Sequence, residues 1–203
     1  LPGTDVAILT LGRNAGEGGD RKNEKGDFLL TDLERDLLQN ICDKYHEAGK
    51  KVVVVLNIGG VIETASWKHL PDAILLAWQP GMEGGASVSD VLCGKANPSG
   101  KLATSFPLRY FDSPSSLNFP YSNISTSGRS RGPRKDYDYS KYTDGIWVGY
   151  RYFQTAGLDV SYPFGYGLSY TTFEFSKPVV KATAEGFNAT VTVTNTGDVA
   201  GKE

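Results

Sequence analysis

A glycine-rich loop near the start of the chain carries the residues with the clearest potential for chemistry. It places one carboxylate, Glu17, between glycines, with the charged residues Arg13, Asp20 and Arg21 close by in sequence. Because glycine has no side chain, a carboxylate flanked by glycines can approach a substrate closely. The pattern suits a proton donor that reaches into a pocket formed elsewhere, although an ordinary solvated glutamate could have the same local sequence.

The same loop departs from the two common nucleotide-binding patterns. A dinucleotide site needs G-x-G-x-x-G running directly into a helix. Here the glycines fall at positions 12, 16, 18 and 19, and the next helix begins only near Asp32. The phosphate-binding pattern G-x-x-x-x-G-K-[ST] is also missing. The spacing therefore argues against nucleotide binding.

The elements on either side of the loop predict how it is positioned. Asp5–Leu11 is a short apolar run bounded by glycine, which predicts a central parallel strand buried on both faces. Thr31 and Glu34 have the spacing of a capping box, and helical periodicity follows until Gly49. The loop would then leave the carboxyl end of a parallel strand, which is where open α/β sheets bind ligands.

The next segments continue the alternation of strands and helices. Val52–Ile58 and Ala73–Trp78 predict two more buried strands, with a short helix around Glu63 to Trp67 between them and a further helix at Met82–Leu92. Such alternation implies right-handed crossovers. We therefore expect an α/β fold with an open, mostly parallel sheet in an α/β/α sandwich, covered by helices on both faces.

The remaining sequence predicts two further segments after an α/β sandwich domain at 1–108. Residues 109–170 would form a long loop and the closing segments of that domain. Within them, Phe111–Lys141 shows no sustained period but is rich in aromatics, so it could line a ligand site or mediate a subunit contact. Residues 171–203 would form the first strands of an all-β sandwich, because Ala189–Asn195 alternates like a strand with one buried face and leads into a turn.

Five blocks stand out along the chain: Lys51–Glu63, Ala77–Gly85, Gly94–Pro107, Gly145–Phe153 and Tyr162–Tyr170. Taken together and in order, they resemble the second domain of glycoside hydrolase family 3 and the segments that lead into its fibronectin-type-III-like sandwich. The resemblance covers nearly the whole chain in the family's order. It implies a β-glucosidase-like hydrolase, of which this chain would be the second α/β domain and the start of the fibronectin-type-III-like domain.

The resemblance also implies a division of catalytic roles. Family members hydrolyse β-glycosidic bonds with retention of configuration, which requires two carboxyl groups about 5 to 5.5 Å apart. The nucleophile would be an aspartate on a (β/α)8 barrel that is not in these 203 residues. The acid/base would be the Glu of the Gly-Glu-Gly stretch, which is Glu17. Arg13, Asp20 and Arg21 would either bind substrate or support the loop, and no metal or cofactor is expected.

Several alternatives stay open at this stage. The expected substrate is a β-glucoside or cello-oligosaccharide, with a terminal glucosyl residue removed from the non-reducing end. A β-xylosidase or related exo-glycosidase is the nearest rival, and a non-catalytic carbohydrate-binding or scaffolding module is a rival of another class. The expected partner is the enzyme's own (β/α)8 barrel, which could precede or follow this region in the full polypeptide. Homo-oligomerisation stays open. Without the barrel, the fragment is expected to be inactive.

Composition sets limits on partners and compartment. The 21 basic and 23 acidic residues leave a formal charge of −2, which predicts neither nucleic-acid nor anionic-membrane binding. No apolar run approaches the roughly 20 residues of a membrane span. We expect a soluble protein, either cytoplasmic or secreted or periplasmic, and both ends of the sequence suggest cuts through a larger chain.

Some conspicuous residues have ordinary structural interpretations. Cys42 and Cys93 are predicted to be buried free thiols within helices, and His46 and His69 to be surface or boundary residues. The indoles of Trp67 and Trp78 are predicted to pack in or beside the core rather than stack on a sugar ring. Aromatic alternation at Trp147, Tyr150 and Tyr152 predicts another packed strand.

Overall fold

The computed structural model describes residues 3–14, 21–117, 122–123, 134–135 and 142–203. The strands are β1 (Val6–Arg13), β2 (Lys51–Ile58), β3 (Ala73–Leu76), β4 (Phe106–Pro107), β5 (Ser122–Asn123), β6 (Arg134–Lys135), β7 (Val160–Tyr162), β8 (Phe173–Phe175), β9 (Val179–Thr183), β10 (Gly186–Thr190) and β11 (Val193–Asn195). The α-helices are α1 (Asp32–Glu47), α2 (Gly84–Leu92) and α3 (Tyr150–Thr155), and 3₁₀ turns occur at Tyr110–Asp112 and Pro114–Leu117.

The chain divides into two compact units, each made of two stretches of sequence. The first comprises Leu1–Pro80 and Ala103–Phe164, and the second comprises Gly81–Leu102 and Gly165–Glu203. The division of the sequence into domains at residues 108 and 170 stays a prediction.

A three-stranded parallel sheet with the order β1-β2-β3 is the centre of the first unit. In its register Val6 pairs with Lys51 and Arg13 with Ile58, so the carboxyl ends of β1 and β2 lie side by side. The prediction of an α/β fold with a parallel sheet is confirmed. The strand that begins at Ala73 ends at Leu76, two residues earlier than predicted, and Trp78 just beyond it has a left-handed φ of 52°.

Helix α1 forms as its end signals predict. The Thr31 hydroxyl accepts a hydrogen bond from the Glu34 amide, and the Glu34 carboxylate accepts one from the Thr31 amide, which completes the capping box. Gly49, with φ of 67°, follows the last turn, and Lys50 N donates to Tyr45 O there. Helix α1 therefore begins and ends at positions that the sequence specifies locally.

The core of the first unit lies on one face of the sheet. Helix α1 packs against β1 and β2 on this face, where Leu38 and Cys42 of the helix are buried. On the other face Val6 and Ile8 of β1 are 47% and 56% exposed, whereas Val55 of β2 is buried. The expectation of a central β1 buried on both faces is therefore wrong for the described sheet: β1 is an edge strand with only β2 beside it.

The predicted short helix between β2 and β3 is replaced by turns. The Glu63 carboxylate accepts hydrogen bonds from the amide and the hydroxyl of Ser66, at 2.6 and 2.7 Å, and the Trp67 indole donates to Glu63 O at 2.7 Å. These side-chain bonds offer the backbone an alternative to continuing a helix. Trp67 is fully buried, which confirms its predicted packing role, and the half-buried Trp78 also packs against the core.

The later part of the first unit differs from the prediction at its aromatic residues. Strands β4 and β7 pair antiparallel, as do β5 and β6. The predicted strand through Trp147, Tyr150 and Tyr152 is wrong, because α3 begins at Tyr150. Gly149 has φ of 59°, and its carbonyl accepts from the amides of Tyr152 and Phe153. Of the predicted loop at 111–141, residues 118–121, 124–133 and 136–141 lie outside the described residues.

The second unit contains α2 and two antiparallel strand pairs, β8 with β11 and β9 with β10. The predicted single strand at Ala189–Asn195 with one buried face is wrong, because Val191 and Thr192 separate β10 from β11 and the apolar side chains of both strands are exposed. The predicted turn forms, with the Asn195 side-chain carbonyl accepting from the Gly197 amide at 3.1 Å.

The cysteines and histidines follow the sequence predictions with one exception. Cys42 is buried, but Cys93 is exposed, because it caps the short helix α2 rather than facing a core. His46 and His69 are exposed, as predicted. Among the described residues, no helix combines the length and apolar character needed to cross a membrane.

Candidate active site

The predicted site residues lie around the loop that leaves β1. Arg13 is the last residue of β1, and Arg21 is where the described chain resumes after the loop. Both arginines contact Asp27: Arg13 Nε donates to Asp27 O at 3.0 Å, and Arg21 Nη1 donates to Asp27 Oδ1 at 2.5 Å. Glu17 and Asp20 lie outside the described residues. The structure thus brings the two predicted arginines to one place at the carboxyl edge of the sheet.

Arg13 joins the end of β1 to the start of α1. Its two terminal nitrogens donate to the two carboxylate oxygens of Glu34, both at 2.7 Å, and its side chain is only 6% exposed. It also donates to backbone carbonyls, those of Gly12 at 2.7 Å and Leu29 at 3.4 Å. A planar guanidinium can make such parallel bonds because its donors lie in a fixed fork.

Glu34 links this ion pair to the capping box. The hydrogen bond from Arg13 lowers the pKa of the Glu34 carboxyl to about 2; burial works in the opposite direction, and hydrogen bonds from Thr31 lower the pKa further. The Thr31 amide donates to Glu34 Oε2 at 2.8 Å. One carboxylate therefore serves both the first turn of α1 and the arginine that ends β1.

Arg21 and Asp27 close the other side of the loop. Arg21 Nη2 reaches Asn14 O at 3.4 Å, so it bridges the described residues on either side of the Glu17 loop, residues 15–20. The Lys22 amide donates to Asp27 Oδ2 at 2.7 Å. Burial raises the pKa of the Asp27 carboxyl, but hydrogen bonds from the Lys22 amide and the Arg21 side chain outweigh it, and the pKa is lowered overall.

Two further residues meet Arg21 that were not predicted as site residues. The Tyr110 hydroxyl donates to Arg21 O at 2.8 Å from a 3₁₀ turn 89 residues along the chain. A Cβ on Gly60 would lie 3.2 Å from Arg21 Nη2, so the guanidinium occupies the space above this glycine. Gly60 lies in one of the blocks that carry the family resemblance, but no local signal in the sequence connects Tyr110 with Arg21.

The cluster is electrostatically balanced, with two guanidinium groups facing two carboxylates. Both guanidinium groups donate to carboxylate and backbone carbonyl oxygens of this chain. In the described ranges, no three His, Cys, Asp or Glu side chains are grouped so that they could hold a metal ion. The arrangement can hold the two ends of a loop together, and it can keep ordered any group that the loop carries.

An α/β domain with a buried arginine network at the root of a Gly-Glu-Gly loop is consistent with the domain that the five sequence blocks resemble. Residues 1–170 match the Glycosyl hydrolase family 3 C-terminal domain. The chain belongs to glycoside hydrolase family 3.

Individual relatives support this assignment. The structure of β-glucosidase 3B from Thermotoga neapolitana, in complex with α-D-glucose, superposes with a TM-score of 0.84 at 46% identity and covers 96% of this chain and 26% of that one. β-Glucosidase A of Butyrivibrio fibrisolvens is 37% identical over 98% of this chain and 27% of its own length. An exo-α-(1→6)-L-arabinopyranosidase of Bifidobacterium longum is 45% identical over 78% of this chain and 19% of its own. The chain thus spans about a quarter of the length of such relatives.

Proposed function

We propose that this chain supplies the general acid/base, Glu17, to a retaining exo-acting β-glucosidase whose nucleophile lies on a (β/α)8 barrel elsewhere in the polypeptide. The observation that carries the proposal is the arginine network at the carboxyl end of β1. It ties together the described residues on both sides of the Glu17 loop, at the sheet edge where α/β domains bind ligands. The family assignment and the β-glucosidase relatives support the reaction class.

In this proposal Glu17 acts twice. Its protonated carboxyl first gives a proton to the glycosidic oxygen as the bond from that oxygen to the anomeric carbon breaks, while the aspartate of the barrel forms an ester at that carbon. The Glu17 carboxylate then removes a proton from the water that attacks the anomeric carbon and releases the aspartate. The substrate would be a β-glucoside or cello-oligosaccharide, cleaved at the non-reducing end.

The flanking charged residues have a supporting role in this proposal. Arg13 and Arg21 would hold the root of the loop rather than contact the sugar, because their described contacts are with Glu34, Asp27 and backbone carbonyls. Asp20 is proposed to support the loop as well, on the basis of its place in the sequence beside Arg21.

A second substrate class is worth testing because of the arabinopyranosidase relative. Its identity to this chain lies in the same range as that of the β-glucosidases, so the sequence of this domain does not separate the two sugars. Aryl β-D-glucoside, β-D-xyloside and α-L-arabinopyranoside assays on the full-length protein would rank the three. A preference for either pentoside would replace the glucosidase assignment while leaving the role of Glu17 intact.

The role of Glu17 is tested by Glu17→Gln in the full-length protein. kcat/KM reports the first, bond-breaking step, so it should fall about 100-fold or more for cellobiose and little for 2,4-dinitrophenyl β-glucoside, whose leaving group needs no proton. Azide should restore turnover of the activated substrate, because it attacks the glycosyl intermediate without a general base.

Glu24→Gln is the matched control, since Glu24 is an exposed glutamate just beyond the loop. It should leave kcat/KM unchanged for both substrates. Equal losses on both substrates in Glu17→Gln, without rescue by azide, would remove Glu17 from the proposed role.

A further inference from the structure

The chain that leaves the Glu17 loop is held at its first described residue by a distant tyrosine. The Tyr110 hydroxyl donates to Arg21 O at 2.8 Å. The Arg21 side chain binds Asp27 Oδ1 and reaches Asn14 O, while Asp27 Oδ2 accepts from the Lys22 amide. Backbone groups on both sides of the loop therefore depend on one connected set of hydrogen bonds.

Tyr110 is itself held in place. Its ring meets Phe28 edge to face, with ring centroids 5.4 Å apart and an interplanar angle of 78°, and Phe28 is buried. The ring of Phe111, the next residue in the chain, lies 5.1 Å away, again edge to face. Aromatic pairs in this geometry fix a ring by packing alone. The hydroxyl can therefore be removed without removing the contacts that position the ring.

Gly60 provides the space for the Arg21 guanidinium. A Cβ at this position would lie 3.2 Å from Nη2 and 3.8 Å from Nε of Arg21. A methyl group there would push the guanidinium by a few tenths of an ångström. Gly60 is the second residue after β2, which ends at Ile58, so the space for Arg21 lies next to the carboxyl end of a strand rather than within the Glu17 loop.

In the sequence of the Glu17 loop, three of the six residues from Ala15 to Asp20 are glycines, so few side chains are offered for local contacts. A proton donor displaced by about 1 Å can lose about 100-fold in rate. The anchors at the ends of such a loop therefore have a large influence on the proton-transfer step.

We propose that Tyr110, Asp27 and Gly60 are positioning residues that act through Arg21 to set where the Glu17 loop presents its carboxyl group. We call these four residues the neck clamp. The proposal rests on the proposed function, because it assigns the clamp to the step in which Glu17 donates its proton. It extends that function to a 3₁₀ turn and to the end of β2, two places outside the loop.

The test uses Tyr110→Phe in the full-length protein, since phenylalanine keeps the ring packing and loses only the hydroxyl. We expect kcat/KM for cellobiose to fall about 10-fold, while kcat/KM for 2,4-dinitrophenyl β-glucoside changes less than about 2-fold. A role limited to stability would not distinguish the two substrates. Equal losses on both substrates, or no loss on either, would overturn the proposal.

Tyr45→Phe is the matched control. The Tyr45 hydroxyl also forms a hydrogen bond, to Thr4 Oγ1 at 3.2 Å, but it lies toward the amino end of β1. This variant should leave the ratio of the two kcat/KM values unchanged. Gly60→Ala is a second variant, which keeps the proposal testable if Tyr110→Phe folds poorly. The backbone at Gly60 is not left-handed, so the backbone tolerates alanine there. The variant should shift the ratio of the two kcat/KM values in the direction expected for Tyr110→Phe. An unchanged ratio in Gly60→Ala would contradict the clamp.

A double-mutant cycle shows whether Tyr110 acts through Glu17. In a Glu17→Gln background, Tyr110→Phe should cause no further loss on cellobiose, because the proton that the clamp positions is already gone. A further 10-fold loss in that background would show that Tyr110 acts elsewhere and would overturn the proposal. If Glu17→Gln alone fails to separate the two substrates, the proposed function fails; if it succeeds and Tyr110→Phe does not, only the clamp fails.

Discussion

The parallel sheet carries a cluster of charged side chains at each end of its strands. We call the end at which the strands finish the carboxyl edge and the end at which they begin the amino edge. At the carboxyl edge, Arg13 binds Glu34 and backbone carbonyls next to the Arg21–Asp27 pair. At the amino edge, Asp72 accepts from Lys51 Nζ at 2.7 Å and from the Val52 amide at 2.8 Å, and it hydrogen-bonds His46 Nε2 at 2.9 Å. In both places a carboxylate has a lowered pKa and fixes the end of a strand.

The two clusters differ in the cations and in what those cations bind. Lys51 is 68% exposed and contacts a carboxylate, whereas the buried Arg13 side chain also binds backbone carbonyls of a loop. An ammonium group is a compact charge, but a guanidinium can serve a carboxylate and carbonyls at the same time. The carboxyl edge therefore differs from the amino edge by a buried arginine on backbone acceptors rather than by its content of charge.

Removing Arg13 should have the largest effect. Arg13→Met would leave Glu34 half-buried without its cation and several carbonyls without a donor, which should lower the opening free energy of α1 by about 3 kcal/mol. Hydrogen exchange of the α1 amides in the full-length protein measures this quantity. Lys51→Met at the amino edge is the comparison and should cost less than about 1 kcal/mol. Equal effects of the two variants would abolish the distinction between the edges.

The Glu34 carboxylate should make the carboxyl edge sensitive to acid. The pKa of Glu34 is lowered to about 2 in the folded protein, whereas an unfolded glutamate has a pKa near 4.5. The ionised carboxylate therefore stabilises the folded protein fully above pH 4.5, and this stabilisation is lost as the pH falls from 4.5 toward 2. Between pH 6 and pH 3, about 2 kcal/mol of the stability of α1 should be lost through protonation of this carboxylate. Comparing the thermal stability of the parent and Glu34→Gln between pH 6 and pH 3 measures it.

The variant should be less stable than the parent at pH 6, and the difference should shrink at pH 3. Glu34→Gln is informative because glutamine can still accept from the Thr31 amide in the capping box. A difference that stays constant over this pH range would assign the effect to shape rather than to charge.

The parts of the fold that were predictable from the sequence depend on local patterns. The strand at Val52–Ile58 and the capping box at Thr31 and Glu34 involve residues a few positions apart, so periodicity and end signals identify them. At Tyr150 the aromatic spacing predicts a strand where the structure has a helix, because the spacing of a few aromatic residues does not reveal the turn that Gly149 makes.

The candidate site was predictable only in part, for a different physical reason. The charged residues beside the loop were identifiable from their spacing, and the structure does place Arg13 and Arg21 together on Asp27. The hydrogen bond from Tyr110 to Arg21 spans 89 residues, and the space above Gly60 is occupied by the side chain of Arg21, which comes much earlier in the chain. Contacts of this kind have no periodic signature along the chain.

At the amino edge, Asp72→Asn should have a smaller effect than Arg13→Met. The substitution weakens the hydrogen bonds to Lys51, Val52 and His46, which should cost roughly 1 kcal/mol of local stability. It should leave the ratio of kcat/KM for cellobiose and for dinitrophenyl glucoside unchanged, since this edge holds no part of the Glu17 loop. A change in that ratio would mean that the two edges communicate through the sheet.

The smallest effect is expected for an ion pair that lies close to the carboxyl-edge cluster but is exposed. Lys25 Nζ is 2.6 Å from Asp32 Oδ1, as close as the buried contacts of Arg13, yet both side chains are more than half exposed. Water screens such a pair, and ordering two side chains offsets most of its attraction, so Lys25→Ala should change the stability of α1 by less than about 0.5 kcal/mol. Hydrogen exchange of the same α1 amides gives the direct comparison with Arg13→Met. A loss near 3 kcal/mol in the opening free energy of α1 would contradict this. It would mean that any charge close to the loop stabilises this edge, whether or not it is buried and bound to backbone carbonyls.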